Sequence, residues 1–279
     1  MESLKDLRIA LIGGGNMGRG LIGGLLARGL PPAQITVADL NVDGLADLQR
    51  LYGVTTTTDN SVAVHGADVV VLAVKPQQMA AVVTALQPAL VATRPVLLSV
   101  AAGIRAADLA RWAGPGIAVV RAMPNRPALV GAGASGLYAD ASVSAPQRQL
   151  AARVMAATGL SVWVDDEPQL DLVTALSGSG PAYFFLLAEL MAEAAIARGM
   201  SAPTARALAA QTLAGAGQLV AAEQDTDLAR MRAEVTSKGG TTEAALAQFA
   251  ALDLGKTVST AMDAAATRSR ELADLFGKG

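Results

Sequence analysis

At 279 residues, the chain exceeds one compact domain of ordinary size, so two domains are expected. Its 52% hydrophobic, 16% charged and 3% aromatic composition argues against disorder and points to a core of Ala, Val and Leu. With 22 basic against 24 acidic residues, no Cys and a single His, the chain lacks the positive field that nucleic acid requires and the residues for a disulfide, a thiolate nucleophile, a His-based triad or a Cys/His metal site.

The opening "MESLKDLRIALIG" has no basic segment ahead of its apolar run, so no signal peptide is expected, and the lack of Cys suits a reducing, cytoplasmic setting. From residue 7 to about 165, strand-like runs alternate with helical ones: "LRIALIG", "QITVADL", "ADVVVLAV", "RPVLLSV", "GIAVVRAM", "GASGLYA" and "LSVWVDD". Continuous apolar strands joined by helical crossovers predict an α/β, doubly wound parallel sheet, assigned to residues 1–166 as a Rossmann-type dinucleotide-binding domain.

In "IALIGGGNMGRGL", Gly13, Gly15 and Gly18 have the G-x-G-x-x-G spacing between a strand and a helix. The first permits a tight turn, the second close approach of a pyrophosphate, and the third close packing of helix on strand. Ile12, Asn16 and Met17 share that turn and are assigned to the cofactor with it. Asp39 follows at the end of the next strand, where a carboxylate accepts from ribose hydroxyls. It favours NADH, because a 2'-phosphate beside it would add a repulsion of about 1 to 4 kcal/mol at contact. Arg50 could compensate, Asn41 could take the ribose instead, and Asp39 also reads as a solvated strand end. His65 falls between a helix and a strand and reads as solvated or capping. Two further strand ends, "AVKP" (Ala73, Val74, Lys75, Pro76) and "SVAAG" (with Ala101 and Ala102), put small residues where the nicotinamide half would lie; each alone is an ordinary strand-to-helix connection.

After "DDEP", strand signals cease and residues 167–279 are predicted all-helical. The Ala-rich helices offer more apolar face than one chain can cover, which predicts a homo-oligomer. The longest apolar run, "AYFFLLAELMAEAAIARGM", carries Glu189 and Glu193, so no membrane span is expected. Late in the chain, "EVTSKGGTTEAAL" brings a glycine pair up to a helix start, a nest of amide donors suited to one small anion. Standing alone, the loop reads first as an ordinary Ser/Thr-capped interhelical turn.

The ordered set "GGGNMG", "AVKP", "SVAAG", "RAMPN", "LSGSGPAY" and "SKGGTT" resembles the Δ1-pyrroline-5-carboxylate reductases, over nearly the whole chain. The resemblance implies reduction of a cyclic imine to L-proline with NADPH or NADH. It implies that the loop Ser237, Gly239, Gly240, Thr241 and Thr242 binds the substrate, the carboxylate through backbone N–H groups of the last four, and that Thr242 is the catalytic contact at the ring nitrogen. By the same resemblance, Asn60 and Lys75 lie along the cofactor, Glu167 lies near the product, Ser179 and Gly180 allow close packing, and the second domain dimerises. Lys238 stands where many members have Pro, and Arg126 where Thr is common. A cyclic imine is basic enough to be protonated near neutral pH, so positioning rather than a strong acid does most of the remaining work. A β-hydroxyacid dehydrogenase shares this architecture but needs a lysine in its second domain, and none occurs between Lys75 and Lys238. A non-catalytic dinucleotide sensor is the other alternative.

Overall fold

The computed structural model describes residues 6–223 and 227–277. The chain forms two compact units, Met1–Ser179 with Ala265–Gly279, and Gly180–Ala264. The boundary expected at 166/167 thus falls inside the first unit.

That unit holds eight strands: β1 (Ile9–Ile12), β2 (Ile35–Ala38), β3 (Thr55–Thr57), β4 (Val69–Leu72), β5 (Val96–Ser99), β6 (Ala118–Met123), β7 (Gly133–Tyr138) and β8 (Gly159–Trp163). They form one sheet in the order β3-β2-β1-β4-β5-β6-β7-β8. Between the strands run α1 (Asn16–Ala27), α2 (Val42–Tyr52), α3 (Asn60–Val64), α4 (Met79–Thr93), α5 (Ala106–Ala113) and α6 (Ala145–Ala156), with α7 (Gln169–Val173) following β8. All seven expected strands are present. The eighth, β3, pairs with β2 through three threonines and offers no apolar run to read.

Side chains alternate across a strand, and here both faces are covered. Ile9, Leu11, Val37, Val69, Val71 and Leu98 join one buried cluster with α1, α2 and α6. Ala10, Ile12, Ala38, Val70, Leu72 and Leu97 join another with α3, α4 and α5. One correction concerns direction: β6 and β7 pair antiparallel, whereas β7 and β8 pair parallel to each other. A parallel return needs a crossover of about a dozen residues or more. The link over residues 124–132 spends Arg126–Val130 on a single 3-10 turn and is too short for one.

The strand order reverses at β1 and β4, so the carboxyl ends of these strands flank the crevice where open α/β sheets bind ligands.

The second unit contains α8 (Gly180–Ile196), α9 (Ala202–Ala222), α10 (Leu228–Glu234), α11 (Thr241–Ala251) and the start of α12 (Leu254–Phe276). Ser201 caps α9 by accepting from the Thr204 amide. Much of α8 is exposed in the single chain: Phe184, Phe185, Leu186, Leu187, Leu190 and Met191 are 44 to 60% exposed. The helical run Gln169–Ile196 is long and apolar enough to cross a bilayer by length and composition alone.

The end of α12 belongs to the first unit, where Ser269 Oγ donates to Asp171 at 2.6 Å and Arg105 pairs with Asp274.

Candidate functional site

The glycine-rich turn between β1 and α1 is shaped by close approach. Gly13 has φ +108°, and a Cβ there would lie 2.7 Å from the Ala73 carbonyl oxygen. A Cβ on Gly18 would lie 2.5 Å from the Gly13 carbonyl oxygen, so α1 sits on the turn only because that position is bare. Gly15 caps α1 in an extended conformation with no side chain accepting from the first turn, and the space over its missing Cβ is open. The first amides of a helix have no intrahelical acceptor and carry partial positive charge, so this end fits a phosphate group.

Asp39 braces the turn. Its Oδ2 accepts from the Gly14 amide at 2.7 Å and its Oδ1 from the Asn41 amide at 2.9 Å. The carboxylate is therefore fixed before any ribose meets it.

A cleft of about 300 Å³ opens at these strand ends, lined by Ile12, Gly13, Gly15, Asp39, Asn60, Ala73, Val74 and Lys75 together with Ala38, Leu40, Gln78 and Val82. Eight residues singled out in the sequence thus meet in one place. The last four went unread because they have no motif of their own: Ala38 ends β2, Leu40 lies in the bend after it, and Gln78 and Val82 are helical. Gly18 is buried beneath the turn, Asn16 and Met17 open α1 with Met17 packed on the core, and Pro76 opens a 3-10 turn beside the cleft.

On the other side of Asp39, a hollow of about 240 Å³ is lined by Gly14, Gly15, Arg19, Asp39, Asn41 and Gly44. Arg19, one turn into α1, lines this hollow and donates to the Gly44 carbonyl at 3.4 Å; its spacing alone gave no signal. Arg50 instead pairs with Asp47 at 2.9 Å.

Ala101 and Ala102 lie in the turn after β5 and do not line the cleft. Ala101 is buried, and its amide approaches the Ser99 hydroxyl at 3.4 Å. Glu167 is engaged within the first unit: its Oε1 accepts from Arg121 at 2.7 Å and from the Ala106 amide at 2.6 Å. Ser179 donates its amide to the Thr174 carbonyl at the end of a π-helical turn, Thr174–Gly178, and Gly180 opens α8. His65 is an exposed C-cap residue of α3.

In the second unit, Gly239 has φ +73° and Gly240 is an extended N-cap of α11 with no side chain accepting from the first turn. Two of the four expected amide donors already have partners. Gly239 N donates to Glu243 Oε2 at 2.6 Å, and Gly240 N to the Ser237 carbonyl at 2.9 Å. Those two amides are engaged within the bend, where a carboxylate in the first helical turn folds back, as the helix dipole favours. The amides of Thr241 and Thr242, at the first two positions of the helix, remain the donors directed out of its end. The Thr242 side chain is half-buried, whereas Ser237 and Lys238 are exposed.

Two family models match the chain. One, described as pyrroline-5-carboxylate reductase dimerisation, covers residues 167–272; the other, described as NADP oxidoreductase coenzyme F420-dependent, covers residues 8–103. A pyrroline-5-carboxylate reductase of Pseudomonas aeruginosa is 48% identical over 271 residues, 97% of this chain and 98% of that one. The solved pyrroline-5-carboxylate reductase of Coxiella burnetii is 41% identical with a TM-score of 0.91, over 96% of this chain and 98% of that chain. The Plasmodium falciparum pyrroline carboxylate reductase, solved with NADP bound, is 24% identical with a TM-score of 0.81, over 96% and 99% of the two chains, a likeness of fold.

Proposed function

The chain belongs to the pyrroline-5-carboxylate reductase family, and from that premise we propose that it reduces Δ1-pyrroline-5-carboxylate to L-proline with NADPH or NADH in the cytoplasm. The observation that carries the reading is that each unit, taken by itself, presents a helix end suited to an anion. The open end of α1 suits a dinucleotide, and the Thr241–Thr242 end of α11 suits one small acid.

A reduced nicotinamide, when bound, supplies the hydride. Gly15 and the first amides of α1 would hold its pyrophosphate, Asn60 and Lys75 would flank it, and the small residues Ala73, Val74, Ala101 and Ala102 would let it lie close to the strand ends. Asp39 favours the free ribose of NADH, while Arg19 in the adjoining hollow offers positive charge to a 2'-phosphate, so both cofactors are accepted.

The Thr241 and Thr242 amides take the substrate carboxylate, with Gly239 and Gly240 shaping the bend and Ser237 closing it. The Thr242 hydroxyl accepts from the protonated ring nitrogen, orienting the imine carbon toward the hydride. Hydride adds to that carbon, the C=N π pair becomes the lone pair of nitrogen, and the proton already on nitrogen stays there. The product is a secondary amine, and no strong protein acid is required. Residues 1–166 act as the dinucleotide-binding part and residues 167–279 as the helical part that binds substrate and dimerises.

The exposed apolar side chains of α8 are covered by a second copy, forming a homodimer or an assembly of dimers. Glu189 and Glu193 in the same helix would be costly in hydrocarbon.

The test mixes purified protein with pyrroline-5-carboxylate and each reduced nicotinamide in turn, following loss of cofactor absorbance and formation of proline. Turnover with at least one cofactor is expected. Cofactor binding without turnover would favour the sensor reading instead.

A further inference from the structure

Arg121 lies on β6, in register with Ser99 on β5 and Tyr138 on β7. A guanidinium in the middle of an apolar strand is costly unless paired, and Arg121 is 8% exposed. It donates to Glu167 Oε1 at 2.7 Å. The same oxygen accepts at 2.6 Å from the amide of Ala106, the first residue of α5. The N-cap residue of α5, Arg105, supplies no capping side chain, so Glu167 caps that helix from 61 residues away in sequence.

Between Ser99 and Ala106 runs the connection that holds Ala101 and Ala102, with a left-handed Gly103 at φ +70°. Its first end is tied to the sheet by the Val100 amide, which donates to the Leu72 carbonyl at 3.1 Å. Its second end is tied by Glu167, which accepts from the Ala106 amide, and by Arg105, whose side chain pairs with Asp274 of α12.

Buried ion pairs add little net stability over well-packed apolar residues of the same size, so an Arg–Glu pair here calls for a role that depends on its directional bonds. The "RAMPN" segment makes a second such tie. Asn125, 9% exposed, donates to the Ser177 carbonyl in the π-helical turn at 3.0 Å and accepts from the Ala134 amide at 2.9 Å. Both ties hold residues 167–179 against the β6–β7 end of the sheet, one at each end of that segment.

We propose that Arg121 and Glu167 are positioning residues, which set the Val100–Arg105 connection, and with it Ala101 and Ala102, against the nicotinamide half of the cofactor. This rests on the reading of that connection as the nicotinamide-facing turn. Glu167 acts through the Ala106 amide and not by touching the acid.

The test compares the wild type with Glu167→Leu, Glu167→Gln, Arg121→Met and the double variant Arg121→Met/Glu167→Leu. The readouts are kcat, KM for pyrroline-5-carboxylate, melting temperature, and the fluorescence of NADH or NADPH bound without substrate. Glu167→Leu is expected to lower kcat by about tenfold or more, with KM for the imine within about twofold, and to shift the bound cofactor's emission toward that of free cofactor. Glu167→Gln keeps an acceptor for the Ala106 amide and recovers part of the loss. The double variant regains melting temperature without regaining kcat or emission, because no acceptor faces Ala106.

A rise in KM for the imine with kcat unchanged would place Glu167 on the substrate and overturn the proposal. So would a double variant with wild-type kcat and emission, which would reduce the pair to a fold support. If the leucine variants fail to fold, Ala106→Pro removes only the donor at a first helical position where proline is accepted, after an extended Arg105. The same loss is expected there, and wild-type behaviour would end the proposal. Absence of turnover by the wild type would remove the reductase reading alone, because the emission with cofactor alone still decides this one.

Discussion

Thr242 carries the sharpest claim at the level of single residues. Its hydroxyl stands at the helix end that is proposed to receive the acid, so Thr242→Ala is expected to lower kcat/KM by about tenfold or more, the loss of one transition-state hydrogen bond of about 1.4 kcal/mol. Steady-state kinetics check it, and unchanged values would remove Thr242 from the reaction. Glu243 makes an opposite prediction. Its carboxylate folds onto Gly239 beside the same helix end and repels a second carboxylate. Glu243→Gln keeps the acceptor and removes the charge, so KM for the imine is expected to fall about fivefold, for a repulsion of about 1 kcal/mol at an exposed site. Binding isotherms with proline at two salt concentrations check it, since the difference must shrink as salt screens the charge. Lys75 was carried only by the family resemblance, whereas the glycines and Asp39 were legible because turn sterics and strand-end placement each dictate a residue type at a fixed spacing. Arg121 and Arg19 were not, because a lone cation in an apolar strand or early in a helix has no periodic signature. The back-folded Glu243 had a faint one, an acid three residues after the helix cap.

Among elements, the β1 turn depends on backbone room more than on side chains. Gly13→Ala would place a Cβ against the Ala73 carbonyl at a positive φ, which is expected to cost about 2 kcal/mol or more and to weaken cofactor binding at least about tenfold. Denaturant unfolding and cofactor titration measure the two effects separately. In the sheet, Leu98 is fully buried between β4 and β6, and Leu98→Ala is expected to cost about 2 to 5 kcal/mol in the same unfolding experiment. The central strands were readable because two covered faces demand continuous apolar runs, whereas β8, an exposed edge strand, was readable from its β-branched and aromatic residues. β3 escaped because its three threonines pair at the sheet edge with little burial. The reversal at β7 was legible only in the brevity of the link that precedes it.

For the whole molecule, the central matter is what α8 faces. Six large apolar side chains at 44 to 60% exposure lie on a helix whose matching family model is described as a dimerisation region, so light scattering is expected to give at least twice the mass of the 28.2 kDa chain. Leu187→Glu in that helix should shift the assembly toward monomer. A monomer in the unmodified protein would contradict the interface. The sequence signalled this surplus through Ala-rich helices with more apolar face than one chain covers, but not which partner face meets which. The proposed reaction turns on one placement, the acid at the end of α11. The direct measurement is a crystal structure of the protein with proline and oxidised cofactor bound. The proline carboxylate is expected within about 3 Å of the Thr241 and Thr242 amides, with its ring nitrogen at the Thr242 hydroxyl. Proline bound at any other place, with that helix end holding only Glu243, would contradict it.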